Sequence, residues 1–150
     1  TPPAFAIPTT FKDQTLSVSG SGEAMLAARV TEMLNGGFNG VDAVDVLATP
    51  TNYFINNYWD QVDVDLYGHI DGAYKVKPLS IADGEMKNMD PSEVLVTYCW
   101  TGQTSSMITA YLKVLGYNAK SLKFCSNGMI YSNLQSHQFT VPTEDLPIVN

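Results

Sequence analysis

Cys99 and Cys125 are the two thiols of this 150-residue chain. Cys99 stands where a thiol can become reactive. It lies within EVLVTYCWTGQTSSMITAYLKVLGY, which runs from Glu93 to Tyr117. A β-branched apolar stretch leads into the cysteine, small and polar residues follow, and a helical pattern takes over. A cysteine at such a strand-to-helix hinge faces the inward N–H groups of its own loop and the positive end of the helix. Both favour the thiolate and pull the thiol pKa below its free value of ~8.5. Gly102 lets the loop turn tightly, and Thr101, Gln103, Thr104 and Ser105 offer neutral donors. The rival reading is a buried, inert cysteine that packs as a small hydrophobe.

The elements around the hinge follow from hydrophobic periodicity. Residues 1–22 are rich in Pro, Thr, Ser and Gly and read as an arm and linker. GSGEAM lacks the third glycine of a dinucleotide loop, so Ser21 or Gly22 is read as a helix N-cap. Glu23–Asn35 is an amphipathic helix with Met25, Leu26, Val30, Met33 and Leu34 along one side. Val41–Ala48 reads as a short strand running into a short helix, and Tyr53–Asn56 as a buried strand. Asp60, Asp63 and Asp65 lack the glycine and closing glutamate of a calcium loop and read as a solvated helical face. Glu93–Tyr98 is a central strand by its continuous apolar character. The helix after it carries Met107, Ile108, Tyr111, Leu112 and Leu115 on its buried side. Ala119–Phe124 is the next strand, a short helix or turn follows, and a polar tail closes the chain. Strands alternating with helices imply an α/β fold with a parallel sheet and a site at the strands' carboxyl ends.

Bulk properties narrow the function classes. Hydrophobic residues make up 45% of the chain, enough for one domain with a real core. The net charge of −7 argues against a phosphate-backbone partner, so no nucleic acid is expected. No apolar run approaches the ~18 residues of a membrane span. Two cysteines are too few for a disulfide scaffold or a thiolate zinc site, and the two histidines have no ligand spacing to them. No metal or cofactor is expected. The scarcity of Lys and Arg and the first residue, Thr1, suit an extracytoplasmic protein, whether periplasmic, secreted or lipid-anchored before trimming.

YCWTGQTSS after an apolar strand resembles the active-site loop of rhodanese-like domains. GHIDGAY, from Gly68 to Tyr74, is similar to the family's Gly-His-Ile-Pro-Gly-Ala signature, with Asp71 at the usual proline. LGYNAKSLKF is similar to the stretch that joins the active-site helix to the next strand. The resemblance covers roughly Val41 to Leu134. It implies a three-layer α/β/α sandwich with a five-stranded parallel sheet. It also implies three regions: an arm and extension helix over 1–40, the rhodanese-like domain over 41–135, and a tail over 136–150. The implied activity is sulfur transfer. The Cys99 thiolate would take a sulfane sulfur from thiosulfate or a persulfide and pass it to cyanide or a thiol, including a protein thiol. The loop Trp100, Thr101, Gly102, Gln103, Thr104 and Ser105 would bind the persulfide. His69 would be a structural anchor rather than a general base.

The chain departs from the family pattern in three places. Asn56 and Tyr58 replace a customary Asp-x-Arg pair that braces the sheet end, and amide and phenol hydrogen bonds are expected in its place. The Trp100–Ser105 loop has no Lys or Arg, which implies weaker use of dianionic thiosulfate. Cys125 stands where related sequences tend to have glycine. It is read as a buried filler, as a resolving cysteine that releases sulfide and forms a disulfide with Cys99, or as a second sulfur relay. Trp59, Trp100 and Tyr58 are candidate pocket walls. A phosphatase needs arginine six positions after the cysteine to grip phosphoryl oxygens, and Ser105 is there instead. The remaining alternative is a non-enzymatic binding or redox-sensing module.

Overall fold

The computed structural model describes residues 5–7 and 9–140. The ends of the arm and tail, 1–4 and 141–150, and residue 8 lie outside them. The elements run α1 (Gly22–Asn35), β1 (Gly40–Val41), α2 (Ala43–Ala48), β2 (Phe54–Asn57), α3 (Gln61–Tyr67), β3 (Leu95–Tyr98), α4 (Gln103–Val114), β4 (Ala119–Leu122) and α5 (Cys125–Met129). The strands form one parallel sheet in the order β1-β4-β3-β2. Its two faces carry separate apolar clusters, as the two-residue period of a strand requires. Val41, Ile55, Val96, Tyr98 and Leu122 face α2, α3 and α5 through Val46, Val64 and Cys125. Phe54, Leu95 and Ala119 face α4 through Leu112. This is the three-layer α/β/α sandwich.

Among the described residues the sheet has four strands, where five were expected. The place of the fifth is taken by a single bridge between Asn56 and Tyr74. One step further, the Asn56 side chain does the work of a strand. Its Oδ1 accepts the Val76 N–H at 2.8 Å and its Nδ2 donates to the Val76 carbonyl at 3.2 Å. Asn56 is fully buried. Asn56→Ala would leave both Val76 groups without these partners, at a cost of about 2–4 kcal/mol. Urea unfolding should show a lower midpoint with an unchanged slope.

Two helix readings need correction. In α1, Leu26 and Leu34 are exposed, and Arg29 is the buried residue. Arg29 donates to the carbonyls of Lys113 and Val114. Helix α1 therefore docks by capping the last carbonyls of α4 with a guanidinium, a polar contact that hydrophobic periodicity does not report. In α4, Met107 is exposed and the buried stripe is Ser105, Thr109 and Leu112. Small side chains at the first turns let α4 approach the sheet where the cysteine loop begins. The described part of the arm is not a free linker. Phe5 stacks on His69 at 4.1 Å, Ala6 N–H donates to the Ala73 carbonyl, and Phe11 packs in the α4-side cluster.

Candidate active site

Polar burial concentrates at the carboxyl end of the sheet. Asn56, Asn57, Thr97, Ser105, Ser121 and Ser126 are buried there or in the turns just beyond. Cys99 follows β3 directly and is 4% exposed. Its Sγ receives the Gly102 N–H at 3.3 Å and the Ser105 N–H at 3.4 Å. Gly102 makes this possible because it adopts φ 101°, a left-handed conformation that favours glycine.

Cys125 begins α5 and is fully buried beside Cys99. The Cys99 N–H donates to Cys125 Sγ at 3.1 Å, and the Leu122 carbonyl, 3.1 Å from Cys125 Sγ, is the other acceptor within reach of the one Cys125 proton. The Ser105 hydroxyl lies 3.2 Å from Cys125 Sγ and 2.7 Å from Ser121 Oγ.

These contacts set the charge state of the pair. The hydrogen bond from Cys125 is the main reason the Cys99 thiol falls from an ordinary 9.0 to about 5. Burial opposes the fall, and the Ser105 and Gly102 amides reinforce it. Cys125 moves the opposite way, because its proton is held by Cys99 and because it is desolvated. One proton is thus shared unequally between two sulfurs, and Cys99 is the thiolate at neutral pH.

Folding stability should follow. Between about pH 5 and pH 9 the folded chain holds Cys99 deprotonated while the unfolded chain holds it protonated, so stability rises with pH across that window. Cys125 reverses the slope above pH 9, where the unfolded chain loses a proton that the folded chain keeps. Urea midpoints measured across this range should rise up to about pH 9 in the wild type. In Cys99→Ser the rise contributed by Cys99 should be gone.

The remaining expected residues are placed as follows. Trp100 stacks on Trp59 at 4.6 Å and on His137 at 4.8 Å. The Trp100 carbonyl accepts from Ser126 Oγ at 2.7 Å and from Asn127 Nδ2 at 3.0 Å, which fastens the loop to α5. The Thr101 hydroxyl donates to Gln103 Oε1 at 3.4 Å, and the Gln103 and Thr104 side chains are exposed. The loop thus offers the sulfur backbone amides, with the Ser105 hydroxyl turned inward. Asn56 braces the sheet edge as described. Lys77 Nζ sits 5.3 Å from the Tyr58 ring centroid, a cation–π contact. His69 Nδ1 lies 2.9 Å from the Ile70 carbonyl and its ring is covered by Phe5.

Ser121, Ser126, Asn127 and His137 were missed by sequence reasoning. Periodicity carries no signal for them, because they reach the site from β4, from α5 and from the segment beyond. A cavity of about 310 Å³ flanks the loop, lined by Thr101, Gly102, Gln103, Leu122, Lys123 and Phe124 among others. Lys123, the cation on that wall, is paired with Asp42 at 2.9 Å.

The family model of the rhodanese-like domain matches residues 26–129, a span that begins inside α1. Among solved structures, a rhodanese-related protein from Thermoplasma volcanium is 16% identical, with a TM-score of 0.50 over 59% of this chain and 86% of that one. A protein of unknown function, possible tyrosine phosphatase, from Rhodopseudomonas palustris is 16% identical, with a TM-score of 0.48 over 76% and 90%. A protein from Lactobacillus plantarum is 23% identical, with a TM-score of 0.42 over 68% and 87%. No curated protein matches the chain significantly.

Proposed function

Because the chain belongs to the rhodanese-like domain family, we propose that it is a sulfurtransferase in which Cys99 carries the sulfur. The Cys99 thiolate attacks the outer sulfur of the donor. The donor's S–S bond breaks, sulfite leaves from thiosulfate or a thiolate from a persulfide, and Cys99 persulfide remains. Cyanide or a thiol then takes the outer sulfur and Cys99 returns as the thiolate.

The observation that carries this reading is the pair of N–H groups, from Gly102 and Ser105, aimed at Cys99 Sγ. They stabilise the attacking anion and would hold the persulfide in turn. A phosphatase reading lacks its arginine, and Ser105 turns its hydroxyl inward to Ser121 and Cys125. Intact-mass measurement after exposure to thiosulfate or cysteine persulfide tests the proposal. A gain of about 32 Da on Cys99, retained or passed on as released sulfide, is the expected result, and neither mass gain nor sulfide release from either donor overturns it.

Donor preference follows from charge. The Trp100–Ser105 loop has no cation, and Lys123 is already paired. Thiosulfate should therefore be a poor donor, with kcat/KM about 10–100-fold below that of a persulfide. That factor corresponds to one missing charge-assisted hydrogen bond. Saturation at low micromolar thiosulfate would contradict this.

A further inference from the structure

We propose that Cys125 discharges the Cys99 persulfide within the same chain, releasing hydrosulfide and leaving a Cys99–Cys125 disulfide that an external dithiol must reopen. This rests on the sulfurtransferase reading and adds an activity to it: reduction of sulfane sulfur to hydrosulfide.

The first observation is placement. Strands β3 and β4 are parallel neighbours, with Thr97 opposite Ser121, so both cysteines emerge at the same edge. Cys125 Sγ sits within hydrogen-bond distance of the Cys99 N–H, the Ser105 hydroxyl and the Leu122 carbonyl. Cys125 is 0% exposed and Cys99 4%. Cys99 keeps a small opening to solvent, whereas fully enclosed Cys125 has none, so the sulfur chemistry open to Cys125 is with its neighbour.

The second observation is backbone strain. Phe124 and Cys125 both adopt left-handed conformations, with φ 57° and 46°. Glycine fits such positions without strain, whereas these two side chains do not. The turn nevertheless holds a cysteine and places its sulfur against the Cys99 backbone N–H. Strain kept at a site points to a role for the residue it positions.

The step balances without an outside oxidant, because the sulfane sulfur itself is reduced. Cys125 sulfur bonds to the inner sulfur of Cys99–S–S⁻, and the inner-to-outer S–S bond breaks. The outer sulfur takes the electron pair and the Cys125 proton and leaves as HS⁻. The dithiol then reduces the protein disulfide and is itself oxidised to a disulfide. The same contacts impose an order on the steps. Before loading, the Cys99 thiolate holds the Cys125 proton, so Cys125 is no nucleophile. Loading caps that sulfur and moves the charge to the outer atom, which releases the hold and supplies a place for the proton.

The test compares wild type with Cys125→Ser and Cys125→Ala, each treated at about pH 8 with one equivalent of cysteine persulfide and no acceptor. Intact mass is read without reductant, and free sulfide is assayed. The wild type should release one sulfide per chain and end about 2 Da lighter than the reduced chain. Both variants should keep about 32 Da and retain it at least about tenfold longer. Wild type that keeps the added sulfur as long as the variants, with no sulfide release, overturns the proposal and leaves the sulfurtransferase reading standing. Failure of all three chains to gain mass or release sulfide overturns both. Two Cys125 variants are used so that poor folding of one does not decide the outcome.

Discussion

Replacing Cys99 with serine is expected to abolish sulfur transfer, with kcat/KM falling by at least about 10³-fold. Serine is nearly the same size and can still accept the Gly102 and Ser105 N–H groups, so the loop has no steric reason to rearrange. It loses the nucleophile. An alcohol stays protonated where the Cys99 thiol has ionised near about 5, and it forms no bond to sulfane sulfur under these conditions. Thiocyanate formation from cyanide with a persulfide donor is the direct measurement. The urea midpoint at about pH 5 should stay close to wild type, because the Cys99 contribution to stability is small there. Retention of more than a tenth of the activity would mean that another group carries the sulfur.

The second large effect concerns reactivity against pH. The rate of Cys99 alkylation by iodoacetamide should follow the thiolate fraction, with a midpoint near about 5 and a plateau through neutrality. An ordinary cysteine would show its midpoint near ~8.5. Because the hydrogen bond from Cys125 is the largest cause of the depression, Cys125→Ala should move the midpoint upward. A move of one unit slows alkylation below the new midpoint about tenfold. Cys125→Ser keeps a donor at the position and should lie between the two. A wild-type midpoint near the ordinary thiol value would remove the electrostatic basis of the site. A midpoint indifferent to Cys125→Ala would assign the depression to the loop amides alone.

Local signals made much of the molecule legible. The apolar run Glu93–Tyr98, the glycine at 102 and the helix after it predict a strand, a tight turn and a helix N-terminus. The structure has β3, a left-handed Gly102 and α4 there. Cys99 could be singled out for the same reason: each feature that surrounds it lies within six residues, where spacing along the chain dictates spacing in space. The parallel α/β class was legible too, because strand and helix patterns alternate.

What failed were features that depend on contact between distant segments. Periodicity assigns α1 an apolar face, yet the helix docks through Arg29 on the last carbonyls of α4. It assigns Met107 to the interior, yet the approach of α4 to the sheet selects Ser105 and Thr109. A fifth strand is replaced by one asparagine side chain bonded across the edge.

By itself the sequence determined that a cysteine ends a buried strand at the start of a helix, inside an α/β chain resembling a sulfur-transfer family. The tertiary structure alone decided what kind of thiol this is. The register of β3 on β4, and the strained turn at Phe124–Cys125, bring a second sulfur 26 residues away against the Cys99 backbone. Hydrogen bonds act over about 3 Å whatever the separation in sequence, so the charge state of Cys99 belongs to the packed fold and not to its loop alone.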